Sequence, residues 1–325
     1  SQPTFYEFER NGEVIKALAQ TTKTGLTFLL NRETGEPIFP IEEKEVPQGA
    51  IKGDYVSKTQ PFPTKPAPLN PIYFDPEKAF GFTFWDRGHC KRTAKKLRNE
   101  GLFTPPSLQG SIHYPSGVGG NNWGGPAVDS DRNIMVVNTN NMASLIVMIP
   151  REDCKKPLEE LSINKNQVRF TNIESNEGAP YCNLRSMGFF SPLGVPCTEP
   201  PWGTLTAIDL NNGEHLWNVP LGTSKDLAPF PFWWIKGAPN MGGPTVTASG
   251  VTFIGATSDH YLRAFNTETG EEIAKFRLPT GAHATPMTYT NKEGRQFVVI
   301  AAGGHWAIGT PASDHLIAFA LPENK

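Results

Sequence analysis

The chain has 325 residues, with 30 Lys and Arg against 32 Asp and Glu and a formal net charge of −2. That length supports one large core or two ordinary ones, and the near-neutral balance excludes a protein-wide field for nucleic acid or an anionic membrane surface. No apolar run approaches the ~18 residues of a membrane span, and the N-terminus lacks the basic, apolar, small-residue order of a signal peptide. The opening on Ser1 rather than Met reads as a processed form or a piece of something longer.

In chain order, residues 3–39 read as short strands ending in the turn Leu29-Leu30-Asn31-Arg32-Glu33-Thr34-Gly35-Glu36. Asn or Asp opens such a turn by accepting from backbone amides, and Gly supplies the positive φ that closes it. Residues 40–121 are less regular. Pro61, Pro63, Pro66, Pro68 and Pro71 mark an extended stretch, and the single helical signal spans 86–99, closed by Gly101 and followed by Pro105-Pro106. Its Lys91, Arg92, Lys95, Lys96 and Arg98 read as a solvated face, with an acidic partner or headgroup surface as the sharper alternative.

The segment Gly117-Val118-Gly119-Gly120-Asn121-Asn122-Trp123-Gly124-Gly125 looks like a phosphate loop, but it lacks the Lys-Ser/Thr ending and a strand follows it. It reads instead as the turn into a further strand group, 122–219, which carries a long insertion at 150–200. That group repeats the Gly-Glu turn at Ala207-Ile208-Asp209-Leu210-Asn211-Asn212-Gly213-Glu214. Gly-Gly-Pro leads into a strand at Gly124-Gly125-Pro126 and again at Gly242-Gly243-Pro244, with Thr285-Pro286 as a weaker copy.

From Gly243 four strands follow in order: 245–248, 251–256, 261–266 and, after the turn at Asn266 to Glu271, 272–276. This is the content of one β-propeller blade. An up-and-down sandwich also spaces short strands regularly, but the same turn chemistry at the same place in each unit favours the propeller. A last group starts at 285 and supplies three strands, 285–290, 296–301 and 315–320.

Four cysteines, Cys90, Cys154, Cys182 and Cys197, contain no C-x-x-C pair, and their spacing leaves three connectivities open. The long loops around them lean toward an oxidising compartment. None of the seven histidines falls in a zinc-enzyme spacing. Three ionisable residues stand out because each follows a strand and enters a turn: Lys23 before Thr24-Gly25, Asp259 after Phe253-Ile254-Gly255-Ala256-Thr257-Ser258, and His305 after Ala301-Ala302-Gly303-Gly304. In a propeller such loops border the central pore. No nucleophile triad or carboxylate pair can be assigned.

Across essentially its whole length the chain resembles the membrane-bound quinoprotein dehydrogenases that use pyrroloquinoline quinone (PQQ), of the glucose and quinate/shikimate type. The residues that carry the resemblance are Thr22-Lys23-Thr24-Gly25, Val46-Pro47-Gln48-Gly49-Ala50-Ile51-Lys52-Gly53-Asp54-Tyr55-Val56 and Glu100-Gly101-Leu102-Phe103-Thr104-Pro105-Pro106-Ser107. Leu193-Gly194-Val195-Pro196-Cys197, Pro201-Trp202-Gly203, Asp259-His260-Tyr261-Leu262-Arg263-Ala264 and Ala301-Ala302-Gly303-Gly304-His305 complete the set.

The resemblance implies an all-β, quinoprotein-type β-propeller of eight four-stranded blades, of which this chain, read as the C-terminal part, holds roughly half. It implies PQQ on the axis beside calcium, a sugar or cyclic polyol as substrate, ubiquinone as electron acceptor, and a periplasmic position on the inner membrane through an N-terminal region. Lys23, Asp259 and His305 then fall at cofactor-binding positions. The general base and the calcium ligands fall upstream of Ser1, so the chain alone is expected to be inactive and to need the remainder of the propeller or self-association. Cys90 and Cys197 lie in matching stretches and Cys154 and Cys182 in the poorly matching insertion, which favours Cys90–Cys197 and Cys154–Cys182 as pairs. A cofactor-free periplasmic propeller acting as an assembly scaffold is the alternative; three ionisable loop residues argue against it.

Overall fold

The computed structural model describes residues 1–10, 12–157 and 172–322. Strands β1 (Thr4–Arg10), β2 (Glu13–Thr21) and β3 (Thr27–Asn31) form the first antiparallel sheet, and a bridge from Leu30 to Pro37 returns the chain along its outer edge. The turn between them follows its predicted chemistry. The Asn31 side chain accepts from the amides of Glu33 and Thr34, and Gly35 closes the turn at φ +79. Asn266 does the same for Glu268 and Thr269, with Gly270 at φ +73; Asp209 accepts from Asn211, with Gly213 at φ +74.

The hairpin β4 (Ile41–Glu45) and β5 (Thr59–Pro63) comes next, then helix α1 (Phe84–Ala94) and the short strand β6 (Ser111–His113). The helix starts two residues before, and ends five residues before, the 86–99 span expected from sequence. The Thr83 hydroxyl caps its start by accepting from the Asp86 amide at 3.2 Å. Past Lys95 the chain is drawn off the helical path, because the Arg98 amide donates to Gly110 and the Arg98 carbonyl accepts from Ile112. Part of its basic face is neutralised locally: Lys91 and Lys95 both pair with Glu77.

Strands β7 (Ala127–Asp129) and β8 (Ile134–Asn140) open the second blade. The chain then leaves it for β9 (Ser144–Pro150), β10 (Asn172–Glu174) and β11 (Tyr181–Ser186), which form with β6 a separate sheet in the order β10-β11-β9-β6. It returns as β12 (Gly203–Asp209) and β13 (His215–Pro220), giving the order β13-β12-β8-β7. The insertion thus builds a sheet of its own rather than a loose loop. Part of the 150–200 insertion, residues 158–171, lies outside the described residues. The third blade is β14 (Thr245–Val246), β15 (Val251–Ile254), β16 (Tyr261–Asn266) and β17 (Glu272–Arg277); the fourth is β18 (Met287–Thr290), β19 (Gln296–Ala302) and β20 (His315–Ala320), three strands as read from the sequence.

Side-chain alternation stacks these four sheets in sequence. In β8, Met135 and Val137 pack against Tyr6, Phe8 and Leu29 of the first sheet, while Ile134 and Val136 face Ile254 and Phe265 of the third. Period-2 alternation therefore feeds two cores from one strand, and all seven β8 residues are buried. Leu262 and Leu278 carry the stack on to Ile300 and Ala302 of the fourth sheet. The outer faces of the first and last sheets remain bare: Phe5, Val14, Met287 and Leu316 are exposed.

The Gly-Gly-Pro repeats hold the inner edges together. The Thr4 hydroxyl, at the head of the first inner strand, donates to the Pro126 carbonyl of the next blade at 2.7 Å, and Thr245 bonds Pro286 in the same way. A Cβ on Gly124 would lie 2.3 Å from the backbone of Gly242 and Gly243, so only Gly permits this approach. Disulfides Cys90–Cys197 and Cys154–Cys182 have Cα separations of 5.5 and 6.0 Å. The first ties α1 to the end of the insertion, and the second joins β11 to the turn after β9.

Candidate functional site

Up-and-down strand order puts two kinds of loop on one face of such a stack: those joining the second and third strands of a blade, and those joining one blade to the next. Lys23 lies in the β2–β3 loop, Asp259 in the β15–β16 loop and His305 in the β19–β20 loop, so all three occupy equivalent places on this face. In the second blade the corresponding loop expands into the insertion, which covers part of the same face.

A cavity of about 330 Å³ opens here. Its apolar walls come from Phe82, Met142, Phe190, Val195, Trp202 and Ile235, and its polar groups from Ser116, Asn140, Ser224 and Ser258, with Val118 and Ile308 at the edges. Among the described residues no ionisable side chain lines it. The three sequence-selected residues border it through their neighbours.

The Lys23 ammonium donates to the Gly117 carbonyl at 3.1 Å, between the lining residues Ser116 and Val118. Its stem packs so closely that a Cβ on Gly119 would sit 2.6 Å away, and Gly119 adopts φ +91. His305 approaches the far end of the same loop, its ring centroid 5.3 Å from that of Trp123 and 5.9 Å from that of Trp306. Residues 117–123 thus join Lys23 to His305.

Asp259 points the other way, into protein, and is fully buried. Its carboxylate accepts from both terminal guanidinium nitrogens of Arg263, from the Thr257 hydroxyl at 2.6 Å, and from the Thr223 amide at 2.8 Å and hydroxyl at 3.1 Å. Burial alone would raise its pKa. The Arg263 hydrogen bonds and charge, with Thr257 and Thr223, outweigh that and hold it below the usual carboxylate value. Asp259 therefore does not face the cavity; its chain neighbour Ser258, and Ser224 beside its partner Thr223, line it instead.

A buried asparagine network lies beneath the cavity, and sequence reasoning did not single it out. Asn140 Nδ2 donates to the Asn240 carbonyl at 2.7 Å and its Oδ1 accepts from the Asn240 amide at 2.8 Å. Asn138 Nδ2 donates to Asn240 Oδ1 at 2.6 Å, and Asn70 Nδ2 to the Asn140 carbonyl and Asn141 Oδ1 at 2.6 Å. The available signal was the run Asn138-Thr139-Asn140-Asn141 at the end of an otherwise apolar strand. Three buried oxygens of this region, Ser116 Oγ, Asn70 Oδ1 and Asn138 Oδ1, have no hydrogen-bond partner among the described residues; of these residues only Ser116 lines the cavity, where a bound molecule would satisfy it.

The lining suits one wall of a flat, polyanionic quinone: apolar side chains for the ring faces, the unpartnered Ser116 hydroxyl as a neutral donor, and the Lys23 cation at the rim. Among the described residues there is no grouping of three or more His, Cys, Asp or Glu side chains that could hold a metal ion. None of the chain's helices is long and apolar enough to cross a membrane among those residues.

Residues 1–298 match the family described as PQQ: glucose/ethanol/alcohol dehydrogenase, β-propeller domain. The chain is 40% identical over 334 residues to the quinoprotein glucose dehydrogenase of Escherichia coli (strain K12), covering 100% of this chain and 41% of that protein. It is 36% identical to the quinate/shikimate dehydrogenase (quinone) of Acinetobacter baylyi, covering 98% of this chain and 40% of that protein. The fold is similar to that of a europium-containing methanol dehydrogenase, with a TM-score of 0.54 at 18% identity over 93% of this chain and 39% of that one. The chain spans about 41% of the length of the E. coli relative. Stacked blades of three and four antiparallel strands, the repeated inner-edge latches and these matches lead to one conclusion: the chain belongs to the PQQ-dependent dehydrogenase β-propeller family.

Proposed function

We propose that the full-length protein oxidises a sugar or cyclic polyol, of the glucose or quinate/shikimate type, with PQQ, and passes the electrons to ubiquinone. This chain contributes one wall of the cofactor site. The observation that carries the reading is the convergence of Lys23 and His305, from blades far apart in sequence, on the single loop 117–123 at the cavity edge.

Bound there, PQQ supplies a two-electron acceptor for alcohol oxidation. Lys23 presents a cation beside the cavity, placed to stabilise negative charge that develops on an adjacent acceptor oxygen. His305, held between Trp123 and Trp306, offers a polar ring at the opposite end of the same loop for orienting a ligand or relaying a proton. Asp259 ties the loop of Thr223 to its own through its bonds to Thr223, Thr257 and Arg263. With its carboxylate committed to Arg263, it is not the general base, and we assign that base and the calcium ligands to the remainder of the full-length protein.

The bare faces of the first and fourth sheets suit further blades or a second copy. Two disulfides suit an oxidising compartment, consistent with a periplasmic position on the inner membrane through a separate anchor. The ligand-sized cavity and the dehydrogenase relatives support this reading over a cofactor-free scaffold. The test is reconstitution of the full-length apo-protein with PQQ, calcium and an artificial electron acceptor. Turnover of glucose or quinate supports the reading, and absence of turnover with every sugar and polyol tried refutes it.

A further inference from the structure

Of the seven histidines, His283 is the one that is buried. It sits in the connection between the third and fourth blades, 5% exposed. Its Nδ1 lies 2.8 Å from the Ala256 carbonyl and its Nε2 lies 3.0 Å from Thr310 Oγ1. A carbonyl only accepts, so Nδ1 carries the proton, and Nε2 accepts from the Thr310 hydroxyl, for which it is the nearer acceptor at 3.0 Å against 3.3 Å to the His305 carbonyl. Thr310 Oγ1 in turn accepts from the His305 amide at 2.7 Å. One directed chain of hydrogen bonds thus runs from His305 through Thr310 and His283 to Ala256.

The surroundings are built for this ring. A Cβ on Gly281 would fall 2.5 Å from His283 Nε2. The Ala256 amide donates to the Ala282 carbonyl at 2.6 Å and its carbonyl accepts from the Met241 amide at 3.1 Å as well as from His283, and this non-glycine residue is held at φ +61. The His283 carbonyl also accepts from Trp123 Nε1 at 3.0 Å. His283 therefore holds the main chain of His305 on one side, through Thr310, and the indole against which the His305 ring packs on the other. The two imidazole centroids are 6.4 Å apart.

We propose that His283 is a positioning residue for His305, its imidazole setting the place of His305 at the axial face through the Thr310 hydroxyl, while its main-chain carbonyl anchors Trp123 whatever the side chain. This rests on the reading that His305 serves the PQQ site. A ring with one donor and one acceptor at fixed places is required, and a Gln amide is the closest non-titrating substitute.

The test uses the full-length apo-protein with variants His283→Gln, His283→Leu, Thr310→Val and His305→Ala. His283→Leu and Thr310→Val are expected to weaken PQQ binding about tenfold, the scale of a lost buried hydrogen bond, and to change the near-UV circular dichroism of Trp123 and Trp306 before PQQ is added. His283→Gln is expected to stay near wild type in both. In the His305→Ala background, His283→Leu should cost no further PQQ affinity, because its effect passes through His305. An equal loss in both backgrounds, or Gln behaving as Leu does, overturns the proposal. If His305→Ala leaves PQQ affinity unchanged, the functional reading of His305 fails, and the near-UV spectrum then decides the positioning role separately: a His283→Leu spectrum identical to wild type refutes it.

Discussion

Replacing Asp259 by Ala removes the carboxylate that neutralises Arg263 in a site where both side chains are almost completely buried, at 0% and 2% exposure. Breaking a buried pair by deleting one partner costs about 3–5 kcal/mol, because the remaining charge stays desolvated. Two features moderate that figure here: Glu272 keeps an oxygen 3.1 Å from Arg263 Nε, and the Tyr261 ring lies 5.3 Å from the guanidinium carbon. Two others add to it, since the Thr223 amide and the Thr257 hydroxyl lose their acceptor. The balance is a loss of about 4 kcal/mol.

Urea denaturation at pH 7, followed by circular dichroism, measures the loss. The double variant Asp259→Leu with Arg263→Met should recover part of it, because no buried charge is left unpaired. The sign with pH is fixed as well. The folded-state pKa of Asp259 lies below its ordinary 3.8, so the pair's contribution is present above that value and fades as pH falls through the folded-state pKa. A loss under about 1 kcal/mol, the scale of an exposed pair, or a double variant as unstable as the sum of the two single ones, would refute the account of Asp259 as a buried strut.

Three further outcomes follow from the same geometry. Burial holds His283 at about 4 in the folded chain against an ordinary 6.5. The unfolded chain therefore binds more protons in that window, and stability falls by up to about 3 kcal/mol as pH drops from 6.5 to 4; His283→Gln should flatten this part of a denaturation–pH curve. Replacing Cys90 and Cys197 by Ala opens a loop of 107 residues, which the chain-entropy relation puts at about 5 kcal/mol, read as a lowered urea midpoint, whereas the Cys154–Cys182 loop of 28 residues should cost about 1 kcal/mol less. Gly124→Ala forces a Cβ to 2.3 Å from the backbone of the third blade's inner edge, so the variant should show a lower melting temperature, while Gly178→Ala, where a Cβ meets nothing within 4 Å, should pay only for its own φ of +79.

The blade plan was legible because its signals are local. Asn31, Asp209 and Asn266 each satisfy amides a few residues ahead of them, and the Gly-Gly-Pro segments must be glycine wherever backbones of adjacent blades touch. The buried run in β8 was legible only as apolar; that it serves two cores depends on both neighbouring sheets. The helix end was misplaced because Arg98 exchanges helical bonds for bonds to Gly110 and Ile112, partners that no local pattern reveals. At the site, Lys23, Asp259 and His305 were found from their places after strands, but a sequence does not state which way a side chain turns. Asp259 is followed four residues later by Arg263, and only the fold shows that the two close on each other within the protein. The apolar half of the cavity, from Phe190, Val195 and Trp202, comes from the insertion and from the start of the blade strand that follows it. It takes shape only when the insertion folds back over the axial face.

The central claim is that this face forms one wall of a PQQ site with Lys23 as its cation. The most direct test is equilibrium binding of PQQ to the full-length apo-protein, comparing wild type with Lys23→Gln, which keeps a hydrogen-bond donor and removes the charge. Loss of a charge-assisted bond predicts an affinity lowered at least about tenfold, with the unfolding midpoint of the apo-protein within a degree or two of wild type. Equal PQQ affinity in the two proteins would contradict the claim.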